Sequence, residues 1–217
     1  PLNSFHDDNP FPLYSVWTPG ENRMMKSNTA YLFKKGVTHE ISPYIQFKGS
    51  FIFIGAYGRG DKPLIRLGRG GITSIGLHHF VSNIEVKSAI QDTLYGSTVW
   101  SFIGDDNEPS DNPNKTNTLL LDSLSITYGH RGLSLSKYKR INIKNSLFSN
   151  LWGDGIYGDN TDSLFIINSV IEKFNRTWDY PDTDYHRTGH GEPGGDGIQV
   201  LMDYVELDGT TVDGSRY

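Results

Sequence analysis

Leu119-Leu120-Leu121-Asp122-Ser123, Asn142-Ile143-Lys144-Asn145-Ser146 and Phe165-Ile166-Ile167-Asn168-Ser169 are three renderings of one short phrase. Its fourth place falls at 122, 145 and 168, so both steps are 23. Gly132 and Gly155 keep the same step. Self-similarity at a fixed spacing of this size marks a stacked-repeat architecture, in which each unit buries its apolar face against the next. Ile141 and Ile143 lie between polar neighbours, and Leu164 and Ile166 repeat the pattern less cleanly. That period of two predicts strands with one buried face. Short apolar runs follow the phrase (Leu147-Phe148, Val170-Ile171), and then Gly153-Asp154-Gly155-Ile156 and Gly195-Asp196-Gly197-Ile198. No stretch reads as a long helix. Strand, corner, strand, corner, strand within one 23-residue step predicts one coil of an all-β solenoid.

Working outward, Ile84 and Val86 precede Ser88 much as Ile141 and Ile143 precede Asn145. The distance from 88 to 122 exceeds one step by 11, which matches an inserted polar loop from Asp105 to Pro113. The distance from Leu164 to Val205 exceeds one step by 18, which predicts a second insertion over 175–192. Residues 1–30, with Pro1, Pro10, Pro12 and Pro19 and little periodicity, read as a cap over the first coil, leaving 31–217 as the solenoid. The repeat is still running at Val205-Glu206-Leu207-Asp208. An open last coil exposes unpaired strand groups and apolar core. The expectation is therefore that the solenoid continues beyond Tyr217, or that a further chain, a homo-oligomer included, covers the C-terminal coil.

Leu32 to Ile41, then Ile54-Gly55-Ala56-Tyr57-Gly58 with Lys62-Pro63, resemble the opening coils of bacterial and phage right-handed parallel β-helix proteins of the pectate-lyase-like superfamily. The later Asn-Ser and Gly-Asp-Gly-Ile units are similar to the same group, and the resemblance spans most of 30–217. It implies a right-handed parallel β-helix. It also implies a protein secreted or displayed on a cell or virion surface, working on a polysaccharide. The group holds lyases, uronan epimerases, glycoside hydrolases, tailspikes and adhesins, and no motif here selects one of them.

Composition narrows the partners. The net charge of −5 and the absence of a long basic run exclude an electrostatic nucleic-acid face. No apolar stretch approaches the roughly 20 residues that a membrane span requires. The 217 residues contain no cysteine, so disulfides contribute nothing to the fold.

Three places carry candidate chemistry. Strands stack about 4.8 Å apart, so Asp122, Asn145 and Asn168 should form one column, read as an inward ladder of hydrogen-bonding side chains. A second column holds Arg131, Asp154 and Asp196, each just before the glycine of its coil, with His130 alongside. Paired carboxylates at that spacing suit three roles: Ca²⁺ ligands, the acid and nucleophile of a retaining glycosidase, or sugar-orienting groups. An Asp between glycines also shapes a corner by its own hydrogen bonds. The third place is the 175–192 insertion. It offers Trp178 and Tyr180 for sugar faces, Asp184 for hydroxyls, and Tyr185, His186, Arg187 and His190 for acid–base chemistry with charge neutralisation. Proton abstraction beside a uronate carboxylate needs that combination, so a lyase or epimerase acting on an acidic polysaccharide leads. A non-catalytic carbohydrate-binding module and a hydrolase using Asp154 and Asp196 are the alternatives. His78 and His79 are adjacent, so in a strand only one faces inward.

Overall fold

The computed structural model describes residues 23–25, 27–41, 44–68, 71–88, 98–104, 116–151, 153–174 and 196–214. Among the described residues every regular element is a strand, and every strand pairing is parallel. The first rung holds β1 (Arg23–Met25), β2 (Thr29–Lys34) and β3 (Thr38–Ile41), and the second β4 (Ile45–Lys48), β5 (Ile52–Tyr57) and β6 (Leu64–Leu67). The third holds β7 (Ile72–Ile75), β8 (His79–Ser82) and β9 (Glu85–Ser88), and the fourth β10 (Thr98–Ile103), β11 (Thr118–Asp122) and β12 (Ser125–Gly129). The fifth holds β13 (Arg131–Ser136), β14 (Arg140–Lys144) and β15 (Leu147–Leu151). In the sixth, β16 (Ile156–Ile167) runs through the first two places before β17 (Val170–Glu172). In the seventh, β18 (Ile198–Asp208) does the same before β19 (Thr211–Asp213).

Each strand bonds to its counterpart one rung away, which gives three series. The first (β1, β4, β7, β10, β13) and second (β2, β5, β8, β11, β14) merge through β16, while the third is a separate sheet from β3 to β19. Strand pairing begins at Arg23, inside the segment read as a cap, and residues 1–22 lie outside the described residues. Leu164 pairs with Val205 and Ile166 with Leu207, the register expected across the second insertion.

Alternation places one apolar side chain per strand position inside. Ile45, Ile72, Trp100, Leu133 and Ile156 stand in register, as do Ile65, Val86, Ile126, Phe148 and Ile171, and all are buried. Burying each such side chain contributes about 1.5–3 kcal/mol. The polar exceptions are paired: Trp100 Nε1–H donates to Ser74 Oγ at 3.0 Å, and His79 Nε2 lies 2.8 Å from Gly49 O. The inward residues of the last rung, Val205, Leu207 and Val212, are 39%, 48% and 43% exposed, where Leu164, Ile166 and Ile171 one rung earlier are 0%.

The corners turn through left-handed residues. Twelve described non-glycine residues have φ near +50 to +60°, and six of them are Asn. That conformation costs a non-glycine residue about 1–2 kcal/mol, least for Asn, whose short side chain bonds locally. Asn is therefore the economical corner residue, and bulky exceptions such as Phe51 at φ 58 stand out.

The corner between the second and third series corrects the reading of 122, 145 and 168. Ser123, Asn145 and Asn168 stack here in the left-handed conformation, and the two Asn are exposed. Asp122 is the last residue of β11, one place before that column, and Asn145 Nδ2–H reaches its Oδ1 at 2.9 Å on the outside. The inward ladder belongs to the following residue. Leu124 N–H donates to Ser146 Oγ (3.2 Å), Ser146 N–H to Ser169 Oγ (3.1 Å) and Ser169 N–H to Thr210 Oγ1 (3.4 Å). Each hydroxyl in turn donates to a carbonyl two residues back in its own rung. A corner turns the chain by one residue, so the side chain that points in is Ser rather than Asn. Asn83, not Ser88, stands over this column, since Asn83 N–H donates to Asp122 O at 3.0 Å; Ser88 ends β9 in the third series.

Among the described residues, two side chains reach across a rung. The buried Tyr138, between β13 and β14, donates its O–H to Gly76 O at 3.4 Å, two rungs away. Lys62, between β5 and β6, donates Nζ–H to Ser123 O at 2.8 Å and to Ser125 Oγ at 3.3 Å, two rungs away. Burial lowers its pKa, while Glu85 of the rung between and Asp122 oppose that shift.

Candidate functional site

The corner from the third series into the first is the most polar constellation among the candidates. Its backbone ladder fixes the register: Gly132 N–H donates to Asp154 O (3.0 Å), and Gly155 N–H to Asp196 O (2.9 Å). Arg131, Asp154 and Asp196 therefore stand in one column and Gly132, Gly155 and Gly197 in the next, with Thr98 paired to Arg131 one rung earlier. Glycine is required because the rungs close tightly here. A Cβ on Gly132 would lie 2.5 Å from Gly155 O, and one on Gly155 2.5 Å from Gly197 O.

Asp154 is buried, and both of its oxygens are engaged. Oδ2 accepts Arg131 Nε–H at 2.9 Å, and Oδ1 accepts the Asp196 N–H at 3.1 Å. The Arg131 guanidinium carbon also sits 4.1 Å from the centre of the Tyr157 ring. Carboxylate and ring together hold the guanidinium, while 28% of the side chain stays exposed. Its terminal nitrogens bond to no described residue. Asp196 is exposed at the start of the last rung.

His130 packs its ring over Gly153, 3.0 Å from where a Cβ would stand. Its Nδ1 is buried and has no partner among the described residues. Burial lowers its pKa first, the neighbouring Arg131 charge adds to that, and Asp154 opposes it, so the ring is neutral near pH 7. Beyond the cluster, the outward column of the first series is polar throughout: Gln46, Thr73, Ser101, Ser134, Tyr157 and Gln199.

The cluster does not suit Ca²⁺. Asp154 already neutralises Arg131, a dication beside a guanidinium is repelled, and the described residues contain no group of three or more His, Cys, Asp or Glu placed to hold a metal. Nor do the two aspartates resemble an acid–nucleophile pair, since Asp154 is spent on Arg131 and on the backbone of Asp196. Trp178, Tyr180, Asp184, Tyr185, His186, Arg187 and His190 all fall within 175–195, outside the described residues. The described residues resume at Asp196, whose N–H bonds Asp154. Of the adjacent histidines, His79 faces the core and His78 the outside, where it stacks on Phe51. The sequence reading missed Tyr157; its signal was the position three residues after Asp154, which alternation places on the outward face.

No family model, curated protein or solved structure matches this chain. No helix among the described residues is long and apolar enough to cross a membrane.

Proposed function

We propose that the chain is a right-handed parallel β-helix of the pectate-lyase-like kind, secreted or displayed on a cell or virion surface, that binds an acidic, uronate-containing polysaccharide along the outward face of its first strand series. A parallel crossover between strands of one sheet is right-handed in about 98% of cases, which supports the handedness. The reading rests on Arg131. Its Nε is taken by Asp154 and its plane is held by Tyr157, so the guanidinium is oriented before any ligand arrives. A fixed guanidinium whose terminal nitrogens bond to none of the described residues suits bidentate recognition of a carboxylate. The Ser, Thr, Gln and Tyr column beside it suits sugar hydroxyls.

The chemistry that fits this ligand is removal of the proton next to the uronate carboxylate. Arg131 neutralises the carboxylate and so stabilises the carbanion that forms. A lyase then expels the oxygen at the neighbouring carbon as a double bond forms and that oxygen gains a proton; an epimerase returns a proton to the opposite face. The acid–base groups are assigned to Tyr185, His186 and His190, with Arg187 as a charge neutraliser and Trp178, Tyr180 and Asp184 as sugar contacts.

The test uses polygalacturonate, alginate and hyaluronan. Retardation in gels containing the acidic polymer reports binding. Ultraviolet absorbance of unsaturated uronate reports elimination, and solvent deuterium uptake reports epimerisation. Arg131→Gln should weaken binding roughly 10- to 100-fold, the range of a charge-assisted hydrogen bond of about 1.5–3 kcal/mol. Equal binding of parent and Arg131→Gln would sink the reading. Binding without product would make the chain a non-catalytic module of the adhesin or tailspike type.

A further inference from the structure

A different face of the stack carries an aromatic cluster that the Arg131 site leaves unused. Phe53 and Phe80 project outward from β5 and β8 in register, with ring centres 5.1 Å apart. At the adjoining corner Phe51 stacks on His78, with centres 4.7 Å apart and planes 25° apart. Phe51 is 59% exposed and is held at φ 58, at a corner column where the preceding rung carries Asn28. An exposed ring kept in a backbone conformation that favours Asn is an outlier of the kind that accumulates at functional sites.

Two observations say what would lie on these rings. Gly55 leaves room for Phe53: a Cβ there would stand 2.4 Å from the ring, so the ring lies along the strand over the glycine. The register neighbours of these residues, Asn28, Ala30, Thr118 and Leu120, are all uncharged, and Ser82 lies two residues beyond Phe80 on the same strand. His78 Nδ1 is paired with Thr118 Oγ1 at 3.1 Å. Aromatic rings edged by the Ser82 and Thr118 hydroxyls, with no Lys, Arg, Asp or Glu among their register neighbours, complement the C–H face and hydroxyl edge of a neutral sugar. Unlike the Arg131 face, they present no guanidinium to pair bidentately with a carboxylate.

We propose that Phe51, Phe53, His78 and Phe80 form a second carbohydrate site, which stacks against the pyranose rings of a neutral glycan or of an uncharged stretch of a mixed one. This site stands on residues separate from Arg131 and does not depend on the acidic-glycan reading. Gly55 is a positioning residue for Phe53.

The experiment is affinity electrophoresis of the full chain in gels holding galactomannan, xyloglucan or hydroxyethylcellulose, with polygalacturonate run in parallel. The parent should be retarded by at least one neutral polymer. Phe51→Asn should weaken that retardation about two- to tenfold, the worth of one aromatic contact. It should also melt at or above the parent temperature, because Asn suits the left-handed corner. Phe51→Trp should restore binding, and Arg131→Gln should leave neutral retardation unchanged while reducing acidic retardation. Three outcomes overturn the proposal: no neutral polymer retards the parent, Phe51→Asn binds as the parent does, or sedimentation shows the parent self-associating and Phe51→Asn not.

Discussion

Replacing Asp154 by Ala removes two bonds with different consequences. Arg131 loses its Nε partner at 2.9 Å, and the Asp196 N–H loses its acceptor at 3.1 Å. Breaking a fully buried ion pair costs 3–5 kcal/mol. The Arg131 side chain is 28% exposed against 7% for Asp154, so the stranded guanidinium is still reached by water and the ionic part falls to about 1–2 kcal/mol. The lost backbone acceptor adds about 1 kcal/mol. Asp154→Ala should therefore cost about 2–3 kcal/mol. Asp154→Asn keeps an acceptor oxygen and the volume and should cost about 1 kcal/mol. Urea unfolding followed by far-ultraviolet circular dichroism reads both values, and a double-mutant cycle with Arg131→Gln should give a coupling above about 0.5 kcal/mol. A cost for Asp154→Ala within about 0.5 kcal/mol of zero, or additivity with Arg131→Gln, would show that the clamp does not exist in solution.

Gly155→Ala should destabilise by about 1–3 kcal/mol or more, since its Cβ meets Gly197 O and Ile171 Cγ2, both at 2.5 Å, and a carbonyl of the next rung cannot step aside. Equal urea midpoints for parent and variant would refute that tight closure. The folded protein should also be acid-sensitive through its histidines. Burial is the first cause that lowers the pKa of His39, His79 and His130 from the usual 6.5. The unfolded chain takes up protons at pH 6.5 and below while the folded chain resists them, so stability is complete above that pH and declines as the pH falls through it. Melting temperatures from about pH 7.5 to 5.5 check the sign, with His79→Gln flattening the curve; a melting temperature that holds or rises toward acid would contradict it.

The fold was legible because its signal repeats. One phrase at a step of 23 gave the parallel stacking of Asn145 on Asn168 and the equivalence of Leu164 with Val205 across an insertion. What the period does not carry is which way a corner side chain points. Alternation holds along a strand and breaks where the backbone enters the left-handed region, so the inward ladder was placed on Asn145 and Asn168 when it belongs to Ser146 and Ser169. In the first half, Ser88 was matched by its flanking apolar residues, a pattern shared by the strands of all three series, and Asn83 was the true equivalent. At the site, the Arg131–Asp154–Asp196 column followed directly from the glycine spacing. The pairing that consumes Asp154 did not, because a column says which residues are neighbours and not which of them bond.

Lys62 changes how such a stack comes apart. A solenoid whose rungs touch only their neighbours can fray one rung at a time, each with its own opening free energy. Here an amine from the second rung is bonded to Ser123 and Ser125 of the fourth, and the carboxylate of Glu85 in the third lies within its field. The third rung cannot peel away while that bridge holds, and the bridge cannot break without exposing a partly buried amine. With Tyr138 of the fifth rung bonded to Gly76 of the third, rungs two to five are tied into one cooperative block, whose amide protons should exchange together, while the sixth and seventh rungs, beyond both bridges, can open in sequence.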